Sequence, residues 1–480
     1  MGLQLRHITA LLGSLAACDL PDDPRASWLH ATLVADHQPF LAREPELVAG
    51  KFALLATAPY AFMRGTAAQY ARDTVEPGGA AHLASRYLAG GEADVLLLGD
   101  PHLENLGTFL AADGQHVLDF NDFDAAAHGP YLHDVRRLAT SALLAAESLP
   151  GLAPETAHEA AHAAAAAYAE AIAALAAGAT LPRVTPSSPQ LGALAADLLR
   201  RAREEGEARD ELASFTLGPP SASRVLARGA LEPPPQPGLI ATELRTLAPD
   251  ERDLVAAVLA RYPATLSPPR PDAATFFAAK DAARRLGAGV SSYPLLRFYV
   301  LVEGATAADG DDVLLEIKEV WDPLRLGERP ARAPKPFADN GERVVGAARR
   351  LQGLPALDPL LGWATLGAHA FRVRDRTAHQ KGLSLERARK LIDRGDAGPD
   401  DLIALARLAG ALLARAHARG GLRDGGDAAR AIADAIANDV HGFAAETAAF
   451  AQHYAAVLGA DHLRLHDLLA AHGPLLGGLP

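Results

Sequence analysis

The segment 96–124, LLLGDPHLENLGTFLAADGQHVLDFNDFD, places carboxylate and amide side chains directly beside two apolar runs. Asp100 and Asn105 are five residues apart where the chain leaves the first run, and Asp119 follows Asn105 by fourteen residues. Phosphoryl transfer uses one carboxylate to accept the proton of the attacking hydroxyl, and further oxygens to hold Mg²⁺ on nucleotide phosphates. Bound metal and phosphate would also make the crowded negative charge tolerable. We therefore expect a phosphoryl-transfer site that uses Mg²⁺ and ATP.

The second metal ligand beside Asn105 is open among three carboxylates of the run DFNDFD. The candidates are Asp119, Asp122 and Asp124. His102 lies in the same loop as Asp100, and we count both as candidate catalytic residues. The imidazole could coordinate a metal ion or brace the loop through a hydrogen bond.

Short strands must position these groups. The runs DVLLLGD and HVLDFND are typical of strands, and AADGQ between them is typical of a turn. Residues 1–95 read as helical, and from Asp134 apolar residues recur at the three-to-four spacing of a helix. An alanine-rich helix follows and is predicted to end at Gly178.

A second β-rich region is predicted far downstream, after the proline-rich connectors 231–238 and 266–272. The segments RRLGAGVSSYPLLRFYVLVEG and DDVLLEIKEV form a strand–turn–strand pattern. A helix is predicted over about 340–352, then a strand near HAFRVRD, and helices from about 383 onward.

Composition limits the function classes. A chain of 480 residues favours two lobes, and its 5% aromatic content favours helices that pack through small side chains. No uninterrupted apolar run of about 18 residues is present, so we expect no membrane span and a cytoplasmic location. A single cysteine, Cys18, excludes an internal disulfide framework and a cysteine-based zinc site. The formal net charge of −12 argues against nucleic acid as a partner but is compatible with metal-held nucleotides.

The motif GDPHLENLG…VLDFND resembles the catalytic core of aminoglycoside- and choline-kinase-like phosphotransferases, which share the protein-kinase fold. That resemblance implies that Asp100 is the catalytic base and that Asn105 is a metal ligand. Because the family separates its two metal ligands by close to 14 residues, it favours Asp119 as the second ligand, with Asp122 as the main alternative and Asp124 as the third. GPYLHDVRRLA, residues 129–139, resembles the following element, whose helical aspartate, here Asp134, braces the catalytic loop. The chain has Leu98 where these kinases usually carry a histidine.

The rest of a kinase site is found downstream instead of upstream. GAGVSS resembles a glycine-rich hairpin over phosphates, and LLEIKEV resembles the strand that carries the phosphate-anchoring lysine. LARAHARGG, residues 413–421, resembles the helix that normally leads into the catalytic loop. The resemblance therefore implies a circular permutation. The implied nucleotide-binding residues are Gly287, Gly289, Ser291, Lys318 and, as ion-pair partner of the lysine, Glu342.

Over roughly residues 50–460 the arrangement resembles the bacterial domain-of-unknown-function family 2252. We expect an α+β fold of the protein-kinase-like, two-lobe type, circularly permuted, with a small antiparallel β lobe and a large helical lobe. The predicted parts are 1–150 (large lobe with the catalytic and metal loops), 151–272 (helical insert and connectors), 273–380 (β lobe) and 381–480 (rest of the large lobe).

The leading hypothesis is an ATP- and Mg²⁺-dependent phosphotransferase that acts on a hydroxyl of a small molecule. An acidic acceptor pocket would suit a cationic substrate such as an amino sugar. The alternative is a nucleotide-binding pseudokinase or regulatory scaffold. It is favoured by Leu98 and by Glu316, since Glu316 stands where kinases place a small residue against adenine. A weaker alternative is a metal-dependent phosphoesterase, which needs more histidine ligands than this segment offers.

Overall fold

The computed structural model describes residues 23–76, 78–88, 93–189, 191–208, 211–217, 224–232, 239–322, 324, 337–352, 358–421 and 427–478. Cys18 and most of the first proline-rich connector lie outside these ranges. The described chain mixes α-helices with antiparallel strands, which confirms the α+β class. Within the same ranges, no helix is both long and apolar enough to cross a bilayer.

Fifteen α-helices occur in the described ranges. They are α1 Pro24–Leu41, α2 Pro45–Leu55, α3 Pro59–Gly65, α4 Ala67–Val75, α5 Leu132–Glu147, α6 Pro154–Ala176, α7 Gly192–Ala208, α8 Glu211–Phe215, α9 Pro249–Arg261, α10 Ala273–Phe276, α11 Asn340–Gln352, α12 Leu385–Asp393, α13 Pro399–Arg419, α14 Ala428–Ile436 and α15 Val440–His472. Short 3₁₀ turns lie at Leu103–Asn105, Tyr262–Thr265 and Asp309–Asp311.

Thirteen strands occur in the same ranges. They are β1 Asp94–Leu97, β2 Leu106–Leu110, β3 His116–Phe120, β4 Ala127–Pro130, β5 Thr216–Leu217, β6 Val225–Leu226, β7 Gly229–Glu232, β8 Thr242–Thr246, β9 Ala279–Leu286, β10 Arg297–Val302, β11 Val313–Val320, β12 Gly362–Leu366 and β13 His369–Asp375.

The largest sheet has seven antiparallel strands in the order β12-β13-β11-β10-β9-β8-β7. The strand–turn–strand pattern and the strand near HAFRVRD therefore lie in one sheet. β7 and β8 also belong to this sheet, although the sequence predicted helices and connectors in their region. Their short, polar sequences lack the apolar alternation that indicates a strand.

Near the predicted catalytic loop, the strand pairing differs from the expectation that DVLLLGD and HVLDFND are joined by one turn. β1 pairs with β4, while β3 pairs with β2, a strand that the sequence did not predict. The predicted turn joins β2 to β3. Gly99 adopts φ +81° at the end of β1, and a side chain there would clash with the carbonyl of Ala125. The glycine therefore lets the chain leave β1 sharply at the start of the loop.

One face of the seven-stranded sheet builds a core of its own. Its buried side chains pack with those of α9 and are Phe298, Val300, Leu315, Ile317, Phe371 and Val373. Because side chains alternate across a strand, the residues between them point to the opposite face. That second face lies above a cleft and is described below.

The helical part is packed through small side chains, as its composition predicts. α6 contacts α5, α13, α14 and α15, and alanines make up most of its buried positions. At Gly410 of α13 any side chain would clash with the backbone of Ala164 in α6. The helix axes therefore approach closely at this point.

Two consecutive residues between α1 and α2 connect the N-terminal helices to the seven-stranded sheet. Arg43 donates to Glu319 on β11 with an Nη2–Oε2 distance of 2.6 Å. Glu44 accepts from the fully buried Arg284 on β9 at 3.0 Å. Arg43 thus contacts a carboxylate on β11, and Glu44 contacts a guanidinium group on β9.

Candidate functional site

A cleft with a volume of about 510 Å³ lies between the second face of the seven-stranded sheet and the loops that follow β1 and β3. Most of the candidate residues line it, although they come from two segments that are far apart in the sequence. The candidates in the lining are Asp100, His102, Asn105, Asp122, Asp124, Gly289, Ser291 and Lys318. Asp119, Gly287 and Glu342 are not among the lining residues.

Lys318 reaches across the cleft to the loop after β3. Its Nζ lies 2.5 Å from Oδ2 of Asp124 and 3.9 Å from Oδ2 of Asp122. The other oxygen of Asp124, Oδ1, is buried and has no hydrogen-bond partner in the described part of the chain. Burial alone would raise the pKa of Asp122, but the nearby Lys318 and Arg372 lower this pKa to about 2. Asp122 is therefore a permanent carboxylate at neutral pH.

The loop after β1 is held by Asp134 near the start of α5. Its carboxylate accepts hydrogen bonds from the backbone N–H groups of Leu98 at 2.7 Å and Gly99 at 3.0 Å. His417 on α13 contacts the same carboxylate through Nε2, and its Nδ1 lies 2.8 Å from the hydroxyl of Tyr168. A buried chain of polar groups thus fixes the backbone directly before Asp100.

Asp100 is held by a buried arginine at the edge of the cleft. Arg137 donates from Nε to its Oδ1 at 2.9 Å, and Arg137 is itself anchored on the carbonyl of Met63. Burial raises the pKa of Asp100 to about 6, against the opposing effect of Arg137. A carboxyl group that ionises near neutral pH is well suited to general base catalysis.

Asn105 and His102 complete the same loop. Nδ2 of Asn105 donates to the backbone carbonyl of Asp100 at 2.7 Å, which orients the amide oxygen away from that bond. His102 is buried, and its Nδ1 has no hydrogen-bond partner within the described ranges. Burial and the neighbouring Arg64 lower the pKa of His102 well below its usual value, so the imidazole is neutral.

Asp119, which the spacing favoured as metal ligand, lies on the other side of β3. Its Oδ2 accepts from Arg415 of α13 at 2.8 Å, and both side chains are buried. Burial raises the pKa of Asp119, and Arg415 opposes this effect. The structure does not bring Asp119 to the cleft, and Asp122 and Asp124 are the carboxylates of DFNDFD that line it.

The predicted pair between Lys318 and Glu342 is not among the contacts of the described residues. Glu342 accepts from the backbone N–H of Ala338 at 2.7 Å, in the first turn of α11. The next residue, Arg343, donates instead to the carbonyls of Asp124 and Ala126, both at 2.8 Å. α11 therefore supports the loop after β3 through Arg343, a role that the sequence analysis missed.

The glycine-containing turn between β9 and β10 has two different roles. Gly289 lines the cleft with φ +85°, and a Cβ there would lie 2.6 Å from Oγ of Ser292. Gly287 also has a positive φ, but it packs against the backbone of Ala241, directly before β8. Only the tip of the turn is placed to approach a ligand.

The arginines of the sheet face above the cleft were not predicted from the sequence. They are Arg285, Arg297, Arg372, Arg374 and Arg376. Their signal is the alternation in FRVRDR, which puts arginines on one face of β13. Glu316 lies among these arginines. Burial alone would raise the pKa of Glu316, but Arg297, Arg374 and Arg372 hold this pKa well below its usual range.

The cleft offers side-chain oxygen atoms of the kind that Mg²⁺ prefers as ligands. The described residues contain no group of three His, Cys, Asp or Glu side chains arranged to hold a metal ion. Mg²⁺ in nucleotide sites is usually bound by one or two carboxylates together with substrate phosphates. The free Oδ1 of Asp124, the carboxylate of Asp122 and the amide oxygen of Asn105 fit that pattern.

Residues 43–468 match the family described as "Uncharacterized protein conserved in bacteria (DUF2252)". The chain has no significant match among curated proteins or solved structures. Because the match covers most of the 480 residues, the chain belongs to the bacterial family DUF2252.

Proposed function

We propose that the chain is an ATP- and Mg²⁺-dependent phosphotransferase that transfers the γ-phosphate to a hydroxyl of a small molecule. The observation that carries this proposal is the contact of Lys318 with Asp124 in the same cleft as Asp100. Phosphoryl transfer depends on positioning and charge neutralisation, so a phosphate-anchoring cation, metal-binding carboxylates and a base must converge.

The order of the parts supports a kinase-like arrangement. A turn containing Gly289 joins β9 to β10, the next strand β11 carries Lys318, and α11 follows β11. Kinases place the glycine-rich loop, the lysine and the supporting helix in this succession. Here they follow the loop of Asp100 in the chain instead of preceding it, as a circular permutation requires. His417 at the end of α13 contacts the aspartate that holds that loop, which supports the same reading.

Each residue then has a defined task. Asp100 accepts the proton of the acceptor hydroxyl, and Arg137 holds the carboxylate in position. Lys318 binds a phosphate oxygen, and its pairing with Asp124 keeps the ammonium in place before the nucleotide binds. Asn105, Asp122 and Asp124 would hold Mg²⁺, which neutralises phosphate charge when bound.

Nucleotide binding is tested first by thermal unfolding. Mg-ATP at about 100 times its Kd is expected to stabilise the wild-type protein by about 2.7 kcal/mol. Lys318→Met, which keeps an apolar stem of similar length, should abolish the shift. Lys390→Met is the matched control because Lys390 lies on the exposed side of α12 and pairs with Glu386. Identical, absent shifts in wild type and Lys318→Met would contradict the proposal.

Phosphoryl transfer is tested by ADP release in the presence of a library of small hydroxyl compounds. Asp100→Asn should bind Mg-ATP like the wild type but lower the rate by 10² to 10⁴, the range that general base catalysis contributes. ADP release that survives Asp100→Asn unchanged would remove Asp100 from the base role.

A nucleotide-binding protein without transferase activity is the second candidate, and Glu316 favours it. This residue occupies the position where the kinase resemblance expects a small side chain against adenine, and it is buried among arginines. Mg-ATP binding without ADP release in any acceptor mixture would favour this candidate. A phosphoesterase finds less support, since the described residues offer no three-ligand group of the kind noted above.

A further inference from the structure

The sheet face above the cleft carries an unusual density of positive charge. Six cationic side chains from four neighbouring strands and the segment after β13 line the cleft here: Arg285, Arg297, Lys318, Arg372, Arg374 and Arg376. In the strand register Lys318 stands directly opposite Arg297 on one side and Arg372 on the other. Like charges directly opposite each other destabilise a sheet unless counter-charges compensate them.

The compensation inside the protein is incomplete. Glu316 is shared by three guanidinium groups, at 2.9 Å from Arg372, 3.5 Å from Arg297 and 3.7 Å from Arg374. Nε of Arg372 and Nε of Arg374 are buried without a hydrogen-bond partner in the described part of the chain. Nε and Nη1 of Arg285 are in the same condition. Each such donor costs free energy that a bound anion would recover.

This charge excess is local. Nine Lys and Arg side chains against six Asp and Glu side chains line the cleft, whereas the whole chain has a formal net charge of −12. A positive cleft in an acidic protein attracts and concentrates anionic ligands. It also disfavours the cationic acceptor, such as an amino sugar, that composition alone suggested.

We propose that Arg285, Arg297, Arg372 and Arg374, here termed the arginine face, bind a second phosphate group of the ligand. The substrate class is then a multiply phosphorylated small molecule. One phosphate lies at Lys318 beside Asp122 and Asp124, and another lies at the arginine face. The assignment of the phosphate at Lys318 rests on the proposed function, whereas the arginine face stands on its own geometry.

Phosphate is favoured over other anions by the chemistry of the donors. A guanidinium group presents a planar pair of N–H donors that matches two phosphate oxygens. Glu316 neutralises only part of the charge of these guanidinium groups. A doubly charged ligand such as phosphate therefore matches the remaining charge better than a ligand with a single carboxylate. Two sources share this chemistry: a linear polyphosphate chain, alone or on a nucleotide, and a ring that carries several phosphates.

The test uses full-length protein and isothermal titration with inorganic tripolyphosphate, inositol hexakisphosphate, Mg-ATP and citrate. The key variant is Arg285→Gln combined with Arg374→Gln, and Arg407→Gln is the matched control because Arg407 is exposed on α13 and pairs with Glu170. We expect wild type and control to bind at least one of the two base-free phosphate compounds at least tenfold more tightly than citrate. The double variant should lose at least tenfold of that affinity. Its melting temperature without ligand should equal or exceed that of wild type, because like charges have been removed.

The outcomes separate this inference from the proposed function. Tighter binding of tripolyphosphate would indicate a linear chain as ligand, and tighter binding of the hexakisphosphate would indicate a phosphorylated ring. If wild type binds neither compound, or if the double variant binds both unchanged, the arginine face has no such role even if Mg-ATP binds. If the phosphate compounds bind but Mg-ATP does not, the arginine face stands and the proposed function fails.

Discussion

His417 and Asp134 lie 3.1 Å apart between Nε2 and Oδ2, although 283 residues separate them in the chain. Both side chains are fully buried, and the same aspartate receives the backbone N–H groups that precede Asp100. The contact therefore joins α13, near the C-terminal end, to the loop after β1. The same contact connects two helices, α5 and α13, that lie far apart in the sequence.

His417→Ala is predicted to destabilise the protein by about 2 to 4 kcal/mol, since it opens a cavity, removes one contact of Asp134 and leaves the buried hydroxyl of Tyr168 without this partner. Tyr168→Phe removes only the outer hydrogen bond and should cost about 1 kcal/mol. Urea unfolding monitored by circular dichroism measures both variants. A His417→Ala protein within 0.5 kcal/mol of wild type would show that the chain of polar groups is unimportant.

Asp119 and Asp124 are predicted to behave in opposite ways. Asp119→Ala leaves the buried Arg415 without its carboxylate, so it should lower the unfolding free energy by about 3 to 5 kcal/mol. Asp124→Asn should destabilise the protein less than Asp119→Ala. In this variant, the increase in melting temperature should be the same with Mg-ATP as with ATP plus EDTA. If instead an Asp119 variant folds normally and loses the Mg²⁺ effect, the original spacing argument for Asp119 is restored.

The pH dependence of Asp100 has a defined sign. Its pKa is about 6 in the folded protein against 3.8 as the ordinary value, so the group favours folding below pH 3.8. This contribution is lost as the pH rises through 6. The unfolding free energy of Asp100→Asn should therefore equal that of the wild type near pH 4 and exceed it at pH 7.5 by no more than about 3 kcal/mol. Melting curves between pH 4 and 8 test this, and a difference that shrinks with rising pH would contradict it.

Lys51 provides a second pH test on the other wall of the cleft. It is buried, and burial lowers its pKa from 10.5 to about 8, with partial compensation by Asp36. Its contribution to stability is present above pH 10.5 and is lost as the pH falls through 8. Lys51→Met should therefore be more stable than wild type at pH 7, by up to about 3 kcal/mol, and the advantage should vanish near pH 10.5. Lys390→Met, at an exposed site, should show no such trend.

Local motifs predicted the candidate residues that depend on short-range geometry. Asp100, His102 and Asn105 lie within one loop, and their common place in the cleft follows from that loop alone. Lys318 was identified by its strand context, and its Nζ contacts Asp124 although 194 residues separate the two in the chain. The order of secondary-structure elements also followed from hydrophobic periodicity in most places.

Features that depend on strand register or on neighbours far away in the chain could not be predicted. Asp119 has a suitable spacing from Asn105, but its side chain points to Arg415, because residues of a strand alternate between faces. The arginine face is formed only when β9, β10, β11 and β13 align side by side. The same holds for Arg343, whose contacts with the loop of Asp124 depend on the packing of α11.

The link through Arg43 and Glu44 bears on how the cleft can change its width. The two adjacent residues hold Glu319 and Arg284 on different strands of the sheet, from a point where the chain turns between two helices. A rigid rotation of the sheet must either keep this point fixed or break two charged contacts at once. We therefore expect any change in the width of the cleft to leave residues 43–44 fixed against the sheet.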